Sequence, residues 1–201
     1  MTPTHLYHVP QTRSARVLWA LLELGVPHEL TVLARGEQRG DAHRARHALG
    51  RTPVLGDDGG YLFESAAILL ALADRHLDKG LIFPLATRER ELVYQWVVFG
   101  PAELEPDIVA ARDEPERDPE RGEAALERLH SAVALVEEAV NGREYVVGGR
   151  FTVADITLGS ILAWARRAVP LERFTEVNRY VDALMARPAC VAAHAPAESA
   201  S

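Results

Sequence analysis

The sequence predicts two structural classes in one chain, a small α/β domain followed by an all-helical domain. Over residues 1–78, short apolar runs typical of strands alternate with segments of helical periodicity, in the order β-α-β-α-β-β-α. This order is typical of a small α/β sandwich. After residue 86 no convincing strand pattern follows. We therefore predict an α/β domain over 1–78, a linker over 79–86 and a helical domain over 87–201.

The first three elements can be placed from their apolar patterns. HLYHV (5–9) reads as a short strand, and HELTVL (28–33) alternates as a second strand should. Between them, apolar residues recur at helical spacing, at Val17, Leu18, Leu21 and Leu22. Gly25 and Pro27 follow directly and predict the end of that helix.

The remainder of the α/β domain contains a hairpin and a helix. Residues 34–50 are rich in Arg, Gly and His with little periodicity, which predicts a loop with one short helix at most. RTPVL (51–55) and YLF (61–63) are short apolar runs, and DDGG (57–60) between them is a hairpin turn signal. An alanine-rich helix is predicted over 65–77.

Helices account for the rest of the chain. The first is predicted over about 87–111. It is apolar nearly all round within LVYQWVVF (92–99), as expected for a helix buried on several sides, for example at a domain or subunit interface. Asp118 and Pro119 read as the N-cap and first position of the next helix. Asn141-Gly142 predicts the end of that helix.

FTVADITLG (151–159) predicts a sharp helix start. Thr152 is the expected N-cap, and Asp155 the acidic partner in a capping box. That helix extends to about residue 167, and another is predicted over 173–186. The tail beyond Pro188 is expected to fray.

Composition limits the possible functions. Hydrophobic residues make up 48% and charged residues 25% of the 201 residues, as in soluble globular proteins. A net charge of −7 argues against a nucleic-acid surface, and no apolar run has the length of a membrane span. The N-terminal sequence lacks a signal-peptide core. We therefore expect a cytoplasmic protein that binds neither nucleic acid nor membranes.

The cysteine and histidine content argues against metal and redox sites. Cys190 is the only cysteine, which excludes an internal disulfide, a CxxC redox pair and a cysteine-based zinc site. His43 and His47 in HRARH stand four residues apart, as two metal ligands on one helix face would. No third ligand is evident and the flanking arginines would repel a cation, so we predict no metal.

Pro53 opens the apolar strand of RTPVL, where it removes a hydrogen-bond donor. A cis Thr52–Pro53 bond would leave the Thr52 backbone groups free, so that a peptide-like ligand could pair with them. An ordinary trans proline is the alternative. From the residues alone we favour the trans bond, because only about 5–6% of such bonds are cis in folded proteins.

Glu64 and Ser65 stand where the alanine-rich helix begins. A ligand carboxylate could bind the backbone N–H groups and the Ser65 hydroxyl there, with Glu64 beside it to bind an ammonium group. The alternative is a Ser65 N-cap with a favourable charge next to it. For this pair alone we favour capping.

Thr12 and Ser14 place hydroxyls at the start of the first helix, within PQTRSAR. A hydroxyl there can donate a hydrogen bond to a thiolate. Each unit of thiol pKa depression needs about 1.4 kcal/mol, and a charge-assisted hydrogen bond of roughly 1.5–3 kcal/mol covers one to two units. Plain capping is the alternative and is favoured for this segment alone. No base is evident that would make either hydroxyl a nucleophile.

The order of these segments resembles a known family. LYHVPQTRSARVLWALLELGVPHEL, then GRTPVL, then DDGGYLFESAAILLAL, resembles the thioredoxin-like domain of cytosolic glutathione S-transferases. FTVADITLG is similar to the capping-box helix of their helical domain. The resemblance covers about 1–190 and is closest to the bacterial, hydroxyl-dependent type with a theta-like N-terminal motif.

The resemblance implies a glutathione site formed by Arg39, Arg51, Thr52, Pro53, Glu64 and Ser65. The Thr52–Pro53 bond would be cis, and the Thr52 backbone would hold the cysteinyl part of glutathione. Glu64 and Ser65 would hold the γ-glutamyl end. Arg39 and Arg51 are weaker candidates for the glycine carboxylate.

The resemblance also implies a residue that contacts the glutathione thiol, just before the first helix. Thr12 falls on that position, Ser14 lies two residues on, and Tyr7 aligns with the tyrosine that other members use. We prefer Thr12 and keep Ser14 and Tyr7 as alternatives.

A second pocket and an activity follow from the same resemblance. The pocket for the electrophile would lie near Phe99, Glu103 and Trp164 of the helical domain. The expected function is that of a homodimeric glutathione transferase, which activates the glutathione thiol for attack on a small apolar electrophile in detoxification. The alternatives are a non-catalytic binding or scaffold protein of this fold, and a glutathione-dependent isomerase or reductase. The lack of an active-site cysteine weighs against a reductase.

Overall fold

The structure, a computed structural model, describes residues 4–195 and divides into two units. The first contains residues 4–79 together with 187–195, and the second contains residues 80–186. The predicted fold class is confirmed, because a mixed sheet with helices is followed by a helical unit. None of the helices within 4–195 is long and apolar enough to span a membrane.

A four-stranded sheet organises the first unit. Its strands are β1 (Thr4–His8), β2 (His28–Val32), β3 (Val54–Asp57) and β4 (Gly60–Phe63). Their order across the sheet is β2-β1-β3-β4, with β1 parallel to β2 and antiparallel to β3. The β3–β4 pair is the predicted hairpin.

Four helices accompany the sheet: α1 (Ser14–Leu24), α2 (Asp41–Arg44), α3 (Ser65–Arg75) and α9 (Pro188–His194). Helix α1 ends where the sequence predicts, because Gly25 adopts a left-handed conformation (φ 63°) that suits glycine. Short 3₁₀ turns lie at Glu37–Arg39 and Leu77–Lys79.

The pleat of β1 directs its side chains to two different neighbours. His5 and Tyr7 stack on one face of the sheet, and the ring of His43 in α2 meets Tyr7 edge-on. His8 projects from the other face and contacts Ser14 of α1. This alternation separates the two candidate thiol donors Tyr7 and Ser14.

The C-terminal segment differs from the expectation of a frayed tail. Residues 188–194 form helix α9, and it packs against α1 of the first unit. Arg187 donates to Glu23 from Nε and Nη2, over 2.7 and 2.9 Å. Trp19 also donates to Glu23, over 2.8 Å. A helical tail with an ion pair at its start therefore joins the α/β unit, whereas the sequence placed it with the helical domain.

The predicted helix over 87–111 is interrupted. Helix α4 (Arg88–Phe99) continues into a π-helical turn (Gly100–Leu104) and then into α5 (Glu105–Asp113). Pro101 and Pro106 cause the change in winding, since neither has a backbone N–H to donate within an α-helix.

Helix α4 is only partly buried within the single chain. Val93, Trp96 and Val97 are buried, but Val98 is 59% exposed and Tyr94 is 36% exposed. The helix therefore has one buried face within the second unit.

The remaining helices are α6 (Pro119–Val140), α7 (Val153–Ala168) and α8 (Thr175–Met185). The Asp118 side chain accepts from the backbone N–H of Arg121 and caps α6, as predicted.

The predicted capping box of α7 is present and extends into a buried network. Asp155 is fully buried and accepts from the backbone N–H groups of Thr152 (2.8 Å) and Val146 (2.9 Å). It also accepts from the hydroxyls of Thr152 (3.1 Å) and Tyr180 (2.8 Å). Burial raises the pKa of Asp155 above its ordinary value.

Candidate functional site

The Thr12 hydroxyl lies just before α1 and is half-buried. Its Oγ1 donates to the Val9 carbonyl over 2.7 Å and lies 2.8 Å from the Ser14 hydroxyl. The Thr52 hydroxyl is 3.4 Å away. The segment before α1 therefore contacts the segment that contains the candidate proline.

Ser14 is fully buried, in contrast to Thr12. Its hydroxyl accepts from the Val9 backbone N–H (3.1 Å) and lies 2.9 Å from the Val9 carbonyl. It is also 2.8 Å from Nδ1 of His8, a residue that the sequence analysis did not consider. Of the two predicted hydroxyls, only Thr12 has exposed surface for a ligand. The signal for His8 was a polar residue at an inward position of a short strand.

Tyr7 lies in a different environment. Its ring stacks on His5 at 4.4 Å and meets His43 edge-on at 5.9 Å. The guanidinium carbon of Arg46 lies 4.4 Å from the centre of the ring. The structure thus places Tyr7 on the sheet face that α2 covers, opposite Ser14.

The Thr52–Pro53 peptide bond is cis, so the preference for trans that we drew from the residues alone was wrong. Pro53 is buried and β3 begins at the next residue. Nε2 of His43 donates to the Arg51 carbonyl over 2.8 Å, which fixes the backbone just before Thr52.

Glu64 has an unusual backbone conformation. It is exposed, with φ 70° and ψ 112°, in the left-handed region that non-glycine residues rarely occupy. Its carbonyl accepts from the backbone N–H of Ile68 over 2.9 Å, so Glu64 itself is the N-cap and Ser65 is the first helical residue. The expectation that Ser65 caps α3 was therefore wrong.

The start of α3 has no side-chain cap. Ser65 is buried, and its hydroxyl lies 3.5 Å from Nη1 of Arg16, which is also buried. A helix N-terminus with a guanidinium beneath it favours an anion. The sequence analysis missed Arg16. Its signal was a charged residue next to Val17 and Leu18 on the apolar side of α1.

Arg39 and Arg51 are both exposed and lie on neighbouring segments. Gly50, with φ 59°, packs against the turn that contains Arg39. A Cβ at Gly50 would lie 2.8 Å from the Gln38 carbonyl and 3.2 Å from Cα of Arg39. The close approach requires glycine and brings the two arginines to the same end of the unit.

The two histidines of HRARH bind backbone groups. His43 holds the Arg51 carbonyl, and Nδ1 of His47 accepts from the backbone N–H of Leu49 over 3.2 Å. In the described part of the chain, no group of three or more His, Cys, Asp or Glu side chains is arranged to hold a metal ion.

In the second unit, Phe99 and Glu103 line an open groove of about 620 Å³ between α4, α5 and α6. Leu135 and Ala132 supply apolar surface to it, and Asp107 and Arg128 supply charge. Trp164 is not among the residues that line the groove. Its ring lies 5.8 Å from the guanidinium carbon of Arg112.

Two family models match the chain. The N-terminal domain of glutathione S-transferases matches residues 12–75, and the C-terminal domain matches residues 94–188. Glutathione S-transferase GstA of Escherichia coli O157:H7 is 30% identical over 153 residues, which are 75% of this chain and 76% of that protein. The chain belongs to the glutathione S-transferase family. The resemblance identified from the sequence is confirmed.

Two further relatives of this glutathione S-transferase family member differ in what they bind or form part of. A glutathione S-transferase from a sphingomonad, solved in complex with glutathione, is 27% identical with a TM-score of 0.83, over 94% of this chain and 96% of that one. Elongation factor 1-gamma of Trypanosoma cruzi is 29% identical over 177 residues. That match covers 85% of this chain but 42% of the elongation factor.

Proposed function

We propose that this protein is a glutathione transferase, which binds glutathione, stabilises its thiolate and directs it to a small apolar electrophile. One observation carries the proposal: the N-terminal end of α1 and the residues just before it contact both candidate binding segments. Thr12 lies 3.4 Å from Thr52, and Arg16 lies 3.5 Å from Ser65. The hydroxyl that would bind a thiol and the helix start that would bind a carboxylate are thus both held by α1. Glutathione carries both of these groups, so it needs both sites in one rigid arrangement.

Each part of glutathione has a suitable partner in the first unit. The γ-glutamyl carboxylate would bind the uncapped N–H groups of α3 and the Ser65 hydroxyl, with the Arg16 charge beneath them. Exposed Glu64 would bind the ammonium group of the same residue. The Thr52 backbone before cis Pro53 would pair with the cysteinyl part. Arg39 or Arg51 would reach the glycine carboxylate.

The thiolate would accept a hydrogen bond from Thr12. A hydrogen bond to a charged group contributes roughly 1.5–3 kcal/mol, which lowers a thiol pKa by about one to two units. Catalysis would then rest on positioning and on thiolate stabilisation, with no covalent enzyme intermediate.

The helical unit would hold the electrophile against the apolar wall of the groove near Phe99, with Glu103 at its edge. We further propose two properties typical of the family, a homodimer and a cytoplasmic location. The cytoplasm is the compartment where glutathione keeps thiols reduced. Light scattering on the purified protein tests the homodimer.

The first experiment is the ultraviolet absorbance of bound glutathione thiolate as a function of pH, for the wild type, Thr12→Val and the control Thr12→Ser. The wild type should show a thiol pKa well below that of free glutathione. Thr12→Val should raise it by about one to two units, and Thr12→Ser should retain most of the depression. If the wild type binds no glutathione at millimolar concentration, the proposal is wrong.

A non-catalytic binding protein is the second candidate, and the similarity to elongation factor 1-gamma supports it. Turnover of a generic aromatic electrophile separates the two candidates. The Glu64→Ala variant gives a second test. If the protein is an enzyme, this variant should bind glutathione more weakly. If it is a scaffold, the variant should still bind its protein partner. A reductase that acts through its own thiol has less support, because the single cysteine, Cys190, is buried.

A further inference from the structure

We propose that Thr12, Ser14 and His8 form a proton relay, in which the thiol proton of bound glutathione passes through the two hydroxyls to Nδ1 of His8. The inference rests on the proposed function and deepens it, because it supplies the base that the sequence lacked. His8 would act through Ser14 and Thr12, so it is a positioning residue and proton acceptor that does not touch the substrate.

The geometry of the three groups suits a relay. Oγ1 of Thr12 lies 2.8 Å from Oγ of Ser14, and Oγ of Ser14 lies 2.8 Å from Nδ1 of His8. Both distances are typical of strong hydrogen bonds. Exposure falls along the chain of groups, from half-buried Thr12 to Ser14 at 0% and His8 at 4%. The relay therefore begins at the surface where a thiol would bind and ends in the protein interior.

His8 is suited to accept a proton in the empty site. Burial lowers the pKa of His8, and the neighbouring His194 of α9 lowers it further. A hydrogen bond with the Ser14 backbone acts in the opposite direction. A neutral imidazole has one nitrogen lone pair, and the negative charge of a thiolate formed nearby would favour the imidazolium. Nδ1 of His194 lies 2.9 Å from the Cys190 carbonyl and donates its own proton there.

The transfer balances without any further reactant. The S–H bond of glutathione breaks and its proton joins Oγ1 of Thr12. The two hydroxyls first turn from the Val9 carbonyl, Thr12 toward Ser14 and Ser14 toward His8. The original proton of Thr12 then moves to Oγ of Ser14, and that of Ser14 moves to Nδ1 of His8. One S–H bond is lost and one N–H bond is formed, which leaves a thiolate and an imidazolium.

The relay also reorients the hydroxyls in the direction that a thiolate needs. In the empty site, the Val9 carbonyl lies within hydrogen-bond distance of both the Thr12 hydroxyl (2.7 Å) and the Ser14 hydroxyl (2.9 Å). Once Nδ1 of His8 carries a proton, it donates to Ser14. Ser14 then donates to Thr12, and Thr12 donates to the thiolate.

A purely structural role makes a different prediction. The His8–Ser14 hydrogen bond also connects β1 to α1. In a purely structural role, its loss would weaken the binding of every ligand of the site. S-methylglutathione separates the two roles, because it has the same binding groups and no thiol proton. A relay affects glutathione ionisation and leaves the affinity for S-methylglutathione unchanged.

The test is ¹⁵N NMR of the wild type with labelled histidine, at pH 7, with glutathione or S-methylglutathione bound. The His8 ring signals, assigned through their backbone connectivities, should change from neutral imidazole to imidazolium with glutathione only. His8→Asn, whose amide keeps a polar group near the Nδ1 position, should lower the bound thiolate fraction at pH 7 by about tenfold. It should keep S-methylglutathione affinity within about twofold. His5→Asn on the same strand is the control and should change neither.

Each contrary outcome has a clear meaning. If His8 stays neutral while thiolate absorbance appears in the same sample, the relay is wrong and the proposed function stands. The relay is also wrong if His8→Asn reduces the affinities for both ligands alike. If the wild type shows neither binding nor thiolate, both proposals fall. The NMR experiment uses only the wild type, so it decides even if His8→Asn does not fold.

Discussion

At the scale of single residues, burial separates side chains that look equivalent in the sequence. Thr12 and Ser14 carry the same hydroxyl two positions apart, yet one is half-buried and the other has no exposed surface. A helix start predicts hydroxyls but not which one faces solvent, because that depends on the strand behind it. Arg16 and His8 were missed for the same reason, since their neighbours in space come from other elements.

The buried guanidinium of Arg16 predicts a charge effect on ligand binding. Replacing Arg16 with Gln should raise the Kd for glutathione roughly 10- to 100-fold, because a hydrogen bond to a charged group contributes about 1.5–3 kcal/mol. Calorimetric titration measures the Kd, and thermal melting checks the fold. Arg13→Gln, at an exposed position of the same segment, is the control. An unchanged Kd in Arg16→Gln would contradict the role given to this charge.

The positive φ of Glu64 predicts that replacing this residue with glycine will stabilise the fold and weaken glutathione binding. Glu64→Gly should increase the free energy of unfolding by about 1 kcal/mol, since roughly 1–3 kcal/mol of backbone strain outweighs the extra entropy of glycine. Glutathione affinity should fall with the loss of the carboxylate. Chemical denaturation and calorimetry measure the two effects.

Ala86→Gly is the matched control for Glu64→Gly, because Ala86 also has a positive φ (62°) but belongs to the other unit. It should stabilise the protein by a similar amount and leave glutathione affinity unchanged. A loss of affinity in both variants would mean that the effect does not arise from the Glu64 carboxylate.

At the scale of elements, local signals located most helices and strands, and proline explains the main exception. The capping box of α7 and the glycine at the end of α1 act within one turn of chain, so the sequence predicts them well. The 87–111 helix was predicted as continuous from its apolar pattern, which does not register the loss of two N–H donors. Helix α9 was predicted as a frayed end because its stability comes from α1, which is distant in sequence.

The packing of α9 on α1 predicts an unreactive thiol. Burial raises the pKa of Cys190 from 9.0 to about 12, and the nearby Glu23 charge adds to the effect. At pH 8 the folded protein should react with a thiol reagent at least a hundredfold more slowly than the unfolded chain, since the thiolate is the reactive form. Absorbance of the released chromophore follows the reaction. Arg187→Ala removes a positive charge that favours the thiolate, so it should accelerate the reaction only by weakening the docking of α9. Equal rates for the folded wild type and the unfolded chain would contradict that docking.

At the scale of the whole molecule, the fold class follows from the sequence, because the change from alternating strands and helices to helices alone occurs once. The order of the four strands was not predicted, since pairing between β1 and β3 depends on contacts across the intervening chain. The same holds for the candidate site, which joins segments around residues 12, 52 and 65. Their approach could be inferred only from the resemblance to a family of known fold.

Asp155 gives the stability of the molecule a predictable dependence on pH. Burial raises the pKa of Asp155 in the folded state above its ordinary value of 3.8. At a pH between 3.8 and the folded pKa, the folded state keeps a proton that the unfolded state has released. The free energy of unfolding should therefore fall as pH rises through this window. Asp155→Asn should remove that dependence and destabilise the protein by about 2–4 kcal/mol at pH 7, because buried donors lose an acceptor.

Chemical denaturation at a series of pH values from 4 to 7 tests this prediction about Asp155. Asp182→Asn is the control, since Asp182 is an exposed partner of Arg166 in the same unit. The control should keep the pH dependence of the wild type and its stability to within about 0.5 kcal/mol. The same pH slope in Asp155→Asn as in the wild type would assign the dependence to another group.

The return of α9 to the first unit has a consequence for synthesis on the ribosome. Residues 4–79 emerge first, but the surface of α1 that α9 covers stays open until the whole helical unit has been translated. At about 5–20 residues per second, that interval lasts roughly 5–25 seconds. During it, the side of α1 that later contacts α9 stays uncovered in the nascent α/β unit. Any stop codon or cleavage before residue 187 would make that exposure permanent.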